Sequence, residues 1–307
     1  MAFKHKDLLS LRNIEREEIE MILQTAASMR PLLDSPNKKT AHLQGKSIVT
    51  LFYENSTRTR MSFELASKYM GAAAANISAS ASSVSKGETL IDTGKTLDRM
   101  GTDVIIIRHP MSGAPHLLAQ HVNAAVINAG DGVNEHPTQA LLDMFTMKQH
   151  KGHIEGLKVA IVGDIIHSRV ARSNIFGLNT MGAEVALCAP PTLMPTQIEG
   201  LGVKTYNRIE EAIEGADVVM NLRIQKERQE EGNFPSLREY SAYFGLNERN
   251  LKYAKPDALI MHPGPMNRGV EITSDVADCE RSVINEQVTS GVAVRMALLY
   301  LLTRKGV

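Results

Sequence analysis

Two hydrophobic rhythms alternate along this chain. Short apolar runs at residues 47–53, 104–107, 124–128, 158–162, 184–187, 218–222 and 258–261 are the length of strands buried on both faces. Between them lie stretches of helical spacing at 60–70, 90–100, 137–149 and 170–181. A first amphipathic helix is predicted on Ile14, Ile19, Ile22, Leu23 and Ala26, with Glu15, Glu17 and Glu18 near its positive N-terminal end. Gly71, Gly101 and Gly182 each follow a helical stretch, where a left-handed cap is wanted. The last stretch, 285–304, carries Val288, Val292, Met296, Leu299 and Leu302 at helical spacing.

Strand–helix alternation predicts an α/β protein with parallel sheets. A length of 307 residues is long for one core and suggests two domains of about 150 residues each. The polar, glycine-containing stretch His150-Lys151-Gly152-His153-Ile154-Glu155-Gly156 is the natural break. The expectation is therefore two doubly wound domains, each a mainly parallel sheet flanked by helices. They are residues 1–150 and 151–284, with a C-terminal helix, 285–307, packing back on the first. No internal repeat is visible, and the one biased segment is the Ala/Ser-rich stretch 72–85.

Composition narrows the partners. The 34 basic residues balance the 34 acidic ones, which argues against a nucleic-acid surface or a polybasic membrane patch and leaves room for a local cationic pocket. Neither cysteine, Cys188 or Cys279, belongs to a ligand or redox motif, and Cys188 sits in an apolar run as a small buried hydrophobe. The first residues lack the apolar core of a signal peptide, and no run approaches the ~20 apolar residues of a membrane span. A soluble protein of the reducing cytoplasm is expected.

Chemistry concentrates where strands end. Residues 47–53 lead straight into Ser56-Thr57-Arg58-Thr59-Arg60 at the start of a helix. Free N–H groups, the helix dipole, hydroxyl donors and guanidinium groups all favour a phosphate there. A single Ser-Thr pair would read as an ordinary N-cap; two cations and three hydroxyls at a strand end are far more specific. Arg108 follows the strand at 104–107. Gly130 and Gly132 make a tight loop before His136-Pro137-Thr138-Gln139, with Pro137 suited to a first helical turn and His136 and Gln139 three apart on one face.

These motifs resemble the aspartate and ornithine carbamoyltransferases, in order and over nearly the whole chain. The resemblance implies that Ser56, Thr57, Arg58 and Thr59 hold the phosphate of carbamoyl phosphate. It gives Arg108 a role on phosphate and carbamoyl oxygen, His136 the polarising of that oxygen, and Gln139 the carbamoyl amide. Gly264 and Pro265 match backbone contacts to the same substrate. These features serve both branches of the family.

Other segments speak to the acceptor. The loop Ser82-Ser83-Val84-Ser85-Lys86 is similar to the aspartate-branch loop in which Ser82 and Lys86 would reach a neighbouring subunit's site. Val162-Gly163-Asp164 lacks the later glycines of a dinucleotide fingerprint; in the family reading Arg169 binds an aspartate carboxylate. Arg223-Ile224-Gln225-Lys226-Glu227-Arg228 matches the aspartate-branch pattern, with Arg223 on the side-chain carboxylate and Gln225 beside it. Guanidinium groups suit a dicarboxylate, whereas the ornithine branch carries a Cys near the late His-Pro segment, absent from His262-Pro263-Gly264-Pro265. Glu54, Arg169 and Arg228 would close the domains. The resemblance implies transfer from carbamoyl phosphate to L-aspartate, without metal or cofactor, in pyrimidine (UMP) synthesis. It also implies a homotrimer with shared sites, open to regulatory or dihydroorotase chains. A carbamoyltransferase for ornithine or another amine, or a non-catalytic anion- or dinucleotide-binding module, are the competing readings.

Overall fold

The computed structural model describes residues 3–78, 87–224 and 236–304. The chain divides into two compact units, Met1–Phe145 with Val288–Val307, and Thr146–Gln287.

The first unit contains α1 (Arg16–Met29), β1 (Ser47–Phe52), α2 (Thr57–Tyr69), β2 (Ala73–Ser78), α3 (Leu90–Arg99), β3 (Val104–His109), α4 (Ala114–Ala119), β4 (Ala125–Asp131) and most of α5 (Pro137–Lys151). Its strands pair in the order β2-β1-β3-β4, all parallel. Val49, Leu51, Ile105, Ile107 and Val126 form one core with Leu97, Leu118 and Val122. Ile48, Ile106 and Ile127, which point the other way along the same strands, are also buried. Burial on both faces is why these segments read as continuous apolar runs rather than alternating ones.

The second unit contains β5 (Lys158–Val162), α6 (Arg169–Thr180), β6 (Glu184–Cys188), β7 (Lys204–Tyr206), α7 (Ile209–Ile213), β8 (Val218–Asn221), α8 (Leu237–Phe244), β9 (Leu259–Met261) and α9 (Ser274–Ala277). The order is β7-β6-β5-β8-β9, again parallel. Ala160, Val162, Cys188, Val219 and Ile260 anchor its core. The final helix, Ile284–Thr303, belongs from Val288 onward to the first unit, where it meets α2 and α5 (below).

The glycine caps occur as expected, with Gly71, Gly101 and Gly182 at φ +83°, +82° and +78°. One strand lay hidden in the sequence. Residues 73–78, within the Ala/Ser-rich stretch, form β2 in parallel register with β1, Ala73 opposite Ser47 through Ser78 opposite Phe52. Alanine has little strand preference of its own, so here the register with β1 decides. Among the described residues, no helix is long and apolar enough to cross a membrane.

Candidate active site

In an open parallel sheet, ligands bind at the carboxyl ends of strands where the chain reverses its winding direction. In the first unit that point lies between β1 and β3, because β2 adds to one side of β1 and β3 to the other. After β1 the chain reaches Ser56, the extended N-cap of α2 (φ −157°), whose side chain makes no capping hydrogen bond. Thr89, Ser168 and Ser236, by contrast, each accept a hydrogen bond from an N–H group of the helix they begin. The first turn of α2 thus offers N–H groups without a side-chain acceptor from its cap, next to a helix dipole and the exposed Thr57 and Arg58. Thr59, one residue on, is buried.

Across the switch point, Arg108 pairs in register with Phe52, and its carbonyl accepts a hydrogen bond from Tyr53 N–H at 2.9 Å. Its Nε lies 3.1 Å from Glu54 Oε2, and Nη1 donates weakly to Ala129 O at 3.4 Å. Glu54 therefore sits on Arg108 within the first unit. The next residue, His109, stacks obliquely on Tyr53 at 4.5 Å between ring centroids. Burial holds its imidazole below the usual histidine range, although the hydrogen bond from Met111 N–H opposes this.

His136 and Gln139 come from the β4–α5 connection, and the buried Asp131 organises that loop. Its carboxylate accepts hydrogen bonds from Asn128 Nδ2 (2.8 Å), Gly113 N–H (2.7 Å), Asn134 Nδ2 (3.0 Å) and Glu135 N–H (3.1 Å). Gly132, at φ +49°, packs where a Cβ would lie 2.8 Å from Ser112 N and 3.0 Å from Pro110 O, so only glycine fits. His136 emerges buried, with Nδ1 3.4 Å from Thr138 Oγ1. Gln139 Nε2 donates to Asp143 Oδ1 at 3.0 Å.

The second unit repeats the design. Its switch point lies between β5 and β8, and Leu222 N–H donates to Val162 O at 2.7 Å where they end. Gly163, at φ +137°, approaches so closely that a Cβ would lie 2.9 Å from Leu222 Cβ. Beyond it, the fully buried Asp164 accepts from His167 Nδ1 and backbone N–H at 2.9 and 3.2 Å. Ser168 caps α6 through Ala171 N–H at 3.1 Å, and Arg169 opens that helix, 4% exposed. Arg223 leaves the end of β8. After β9, His262 Nδ1 accepts from Gly264 N–H at 2.9 Å, so its proton is on Nε2, which faces Glu271 Oε1 at 3.2 Å. That pair shapes the turn bearing Gly264, at φ +66°, and Pro265.

Within each unit, then, the predicted residues gather at strand ends: Ser56 to Thr59, Arg108, His136 and Gln139 in the first, Arg169, Arg223, Gly264 and Pro265 in the second. Ser82, Lys86, Gln225 and Arg228 lie outside the described residues. Sequence reasoning gave no role to Asp131, Asp143, His262 or Arg295. The signal for Asp143 was its four-residue spacing from Gln139, and for Arg295 a lone charge inside an apolar helical stripe.

Two doubly wound units whose switch points each present arginine to an anion define a group-transfer enzyme for two anionic substrates. The chain belongs to the aspartate/ornithine carbamoyltransferase family. Residues 6–149 match its carbamoyl-P binding domain and residues 155–302 its Asp/Orn binding domain. The chain is 69% identical to the aspartate carbamoyltransferase catalytic subunit of Ruminiclostridium cellulolyticum, covering 100% of this chain and 98% of that one. It is similar in structure to the aspartate transcarbamoylase of Trypanosoma cruzi bound to carbamoyl phosphate and aspartate (TM-score 0.89, 31% identity, 97% of each chain). The ornithine carbamoyltransferase of Pyrococcus furiosus fits equally well (TM-score 0.89, 30% identity, 100% of each chain).

Proposed function

We propose that this chain is the catalytic chain of an aspartate carbamoyltransferase, making N-carbamoyl-L-aspartate and phosphate from carbamoyl phosphate and L-aspartate. One observation carries the reading: each sheet ends, at its switch point, in arginines suited to an anion. Backbone likeness does not choose the acceptor, since an aspartate and an ornithine enzyme fit equally well. Two features of the chain favour aspartate: Arg169 and Arg223 at the second switch point, and no Cys near His262. The 69% identity to an aspartate carbamoyltransferase catalytic subunit supports the same acceptor.

In this reading residues 1–150, with the C-terminal helix 285–307, take carbamoyl phosphate, and residues 151–284 take aspartate. Ser56, Thr57, Arg58 and Thr59 hold the phosphate at the start of α2. Arg108, His136 and Thr59 donate to the carbamoyl oxygen, Gln139 meets its amide, and Gly264 and Pro265 add backbone contacts. Arg169, Arg223, Gln225 and Lys86 orient aspartate. The unprotonated amine attacks the carbamoyl carbon, and the oxyanion formed is stabilised by fixed donors. The C–O bond to phosphate then breaks, and the departing phosphate takes the amine proton. Neither oxidation nor reduction occurs, so the work is positioning and electrostatics. We assign the enzyme to the cytoplasm, to pyrimidine synthesis, and to a homotrimer in which Ser82 and Lys86 complete a neighbouring site.

The deciding experiment supplies carbamoyl phosphate with L-aspartate or L-ornithine and measures the carbamoylated product and phosphate. Carbamoyl-aspartate is expected, together with tight binding of a phosphonoacetyl-aspartate bisubstrate analogue. Citrulline from ornithine would reassign the acceptor, and no product from either would end the enzymatic reading.

A further inference from the structure

The first unit buries a cation that the reaction just described does not use. Arg295 is 3% exposed, and its Nε meets no hydrogen-bond acceptor among the described residues. Its guanidinium carbon lies 5.0 Å over the ring of Phe63, a fully buried residue of α2 four positions after Thr59. The side chain folds back along the helix onto Gly291, where a Cβ would fall 2.5 Å from Nη1 and 3.2 Å from Leu142 Cδ2. Glycine weakens a helix interior; here its missing side chain is the space that the guanidinium fills. Burial pulls the Arg295 guanidinium down to about 10, and the negative charge of Asp143 opposes that pull. Asp143 is itself fully buried.

Asp143 Oδ1 lies 3.0 Å from Gln139 Nε2. A carboxylate accepts hydrogen bonds and cannot donate them, so this contact settles which way the Gln139 amide faces. Its NH2 end points to Asp143, and Oε1 is left as an acceptor. Without a nearby cation, a fully buried carboxyl group would take up a proton and become a donor, and the amide could then turn over.

We propose that Arg295 is a positioning residue: it keeps Asp143 a carboxylate, and Asp143 fixes the Gln139 amide with Oε1 toward the substrate. The site thereby selects an acyl phosphate that carries N–H groups over one that carries a methyl group. The inference rests on the carbamoyltransferase reading, and carbamoyl transfer by the unaltered protein tests that reading by itself.

The experiment compares the binding of carbamoyl phosphate and acetyl phosphate to the full chain by calorimetry. Acetyl phosphate differs at the group that Oε1 would recognise. In Asp143→Asn and Arg295→Met the preference for carbamoyl phosphate is expected to fall about ten-fold, the scale of one well-made hydrogen bond. Acetyl phosphate affinity and the KM for aspartate stay close to those of the unaltered protein, and Arg295→Lys keeps part of the preference. Removing one member of a buried pair can prevent folding, whereas replacing both with apolar residues is often tolerated. Asp143→Leu combined with Arg295→Met therefore supplies a folded variant, expected to lose the preference as well. An unchanged preference in that folded variant, or equal loss of affinity for both acyl phosphates, would overturn the proposal.

Discussion

Gly163 joins β5 to the turn before Arg169 at φ +137°, with no room for a Cβ beside Leu222. Gly163→Ala meets both a backbone penalty and a clash, so a loss of about 1–3 kcal/mol is expected. Denaturant melting measures that loss. Because the displaced strand end carries Arg223, the KM for aspartate should rise more than that for carbamoyl phosphate; equal changes would show the strain is not local. His109 makes a second prediction at this scale. Its folded pKa lies below the ordinary imidazole value because of burial, so the folded state binds its proton less readily than the unfolded chain. The stability it contributes is whole above the ordinary value and is lost as pH falls through the lowered one. Between about pH 8 and about pH 5, the melting temperature should fall more steeply for the native chain than for His109→Asn. Asparagine can still accept from Met111 N–H; parallel curves would sink the idea.

At the scale of elements, the loop from β4 to α5 shows what sequence reading reaches and where it stops. Gly130, Gly132, His136 and Pro137 announce a turn and a helix start, because those residue types constrain the backbone locally. Asp131 announces nothing, since its meaning lies in partners such as Asn128 and Gly113 that only the fold assembles. Asp131→Ala would leave several buried donors unsatisfied and should cost about 3 kcal/mol or more, with turnover falling as His136 loses its support. Thermal melting and steady-state rates together test this, and a stable, fully active variant would refute it. The same division holds along the chain. Strands 104–107 and 158–162 were legible because burial on both faces demands continuous apolar residues. The Ser56 to Thr59 turn was legible because anion chemistry needs those groups together. The contacts Glu54 to Arg108 and Asp143 to Gln139 were not, because pairing between side chains depends on rotamers rather than on order along the chain.

At the scale of the molecule, a site shared between subunits has a distinctive signature. Lys86→Ala and Arg58→Ala should each abolish activity alone, and mixed trimers should recover part of it by bringing one intact site together. No recovery after mixing would mean that each chain works alone. Another whole-molecule property follows from β2, the edge strand of the first sheet. Thr50 Oγ1 donates to Asn76 Oδ1, and Asn76 Nδ2 donates to Glu64 Oε2 at 2.8 Å, so the strand is fastened to its own domain by side chains. Its outward residues Ala73 and Ala75 are exposed and small. An unpaired strand edge is a template for aggregation, and poor strand formers blunt it. The weak preference that hid β2 from sequence reading thus serves as protection against chains sticking together. Ala73→Val with Ala75→Val should leave the fold intact yet lower the temperature at which light scattering rises on heating. An unchanged onset would show that this edge is guarded by something other than its alanines.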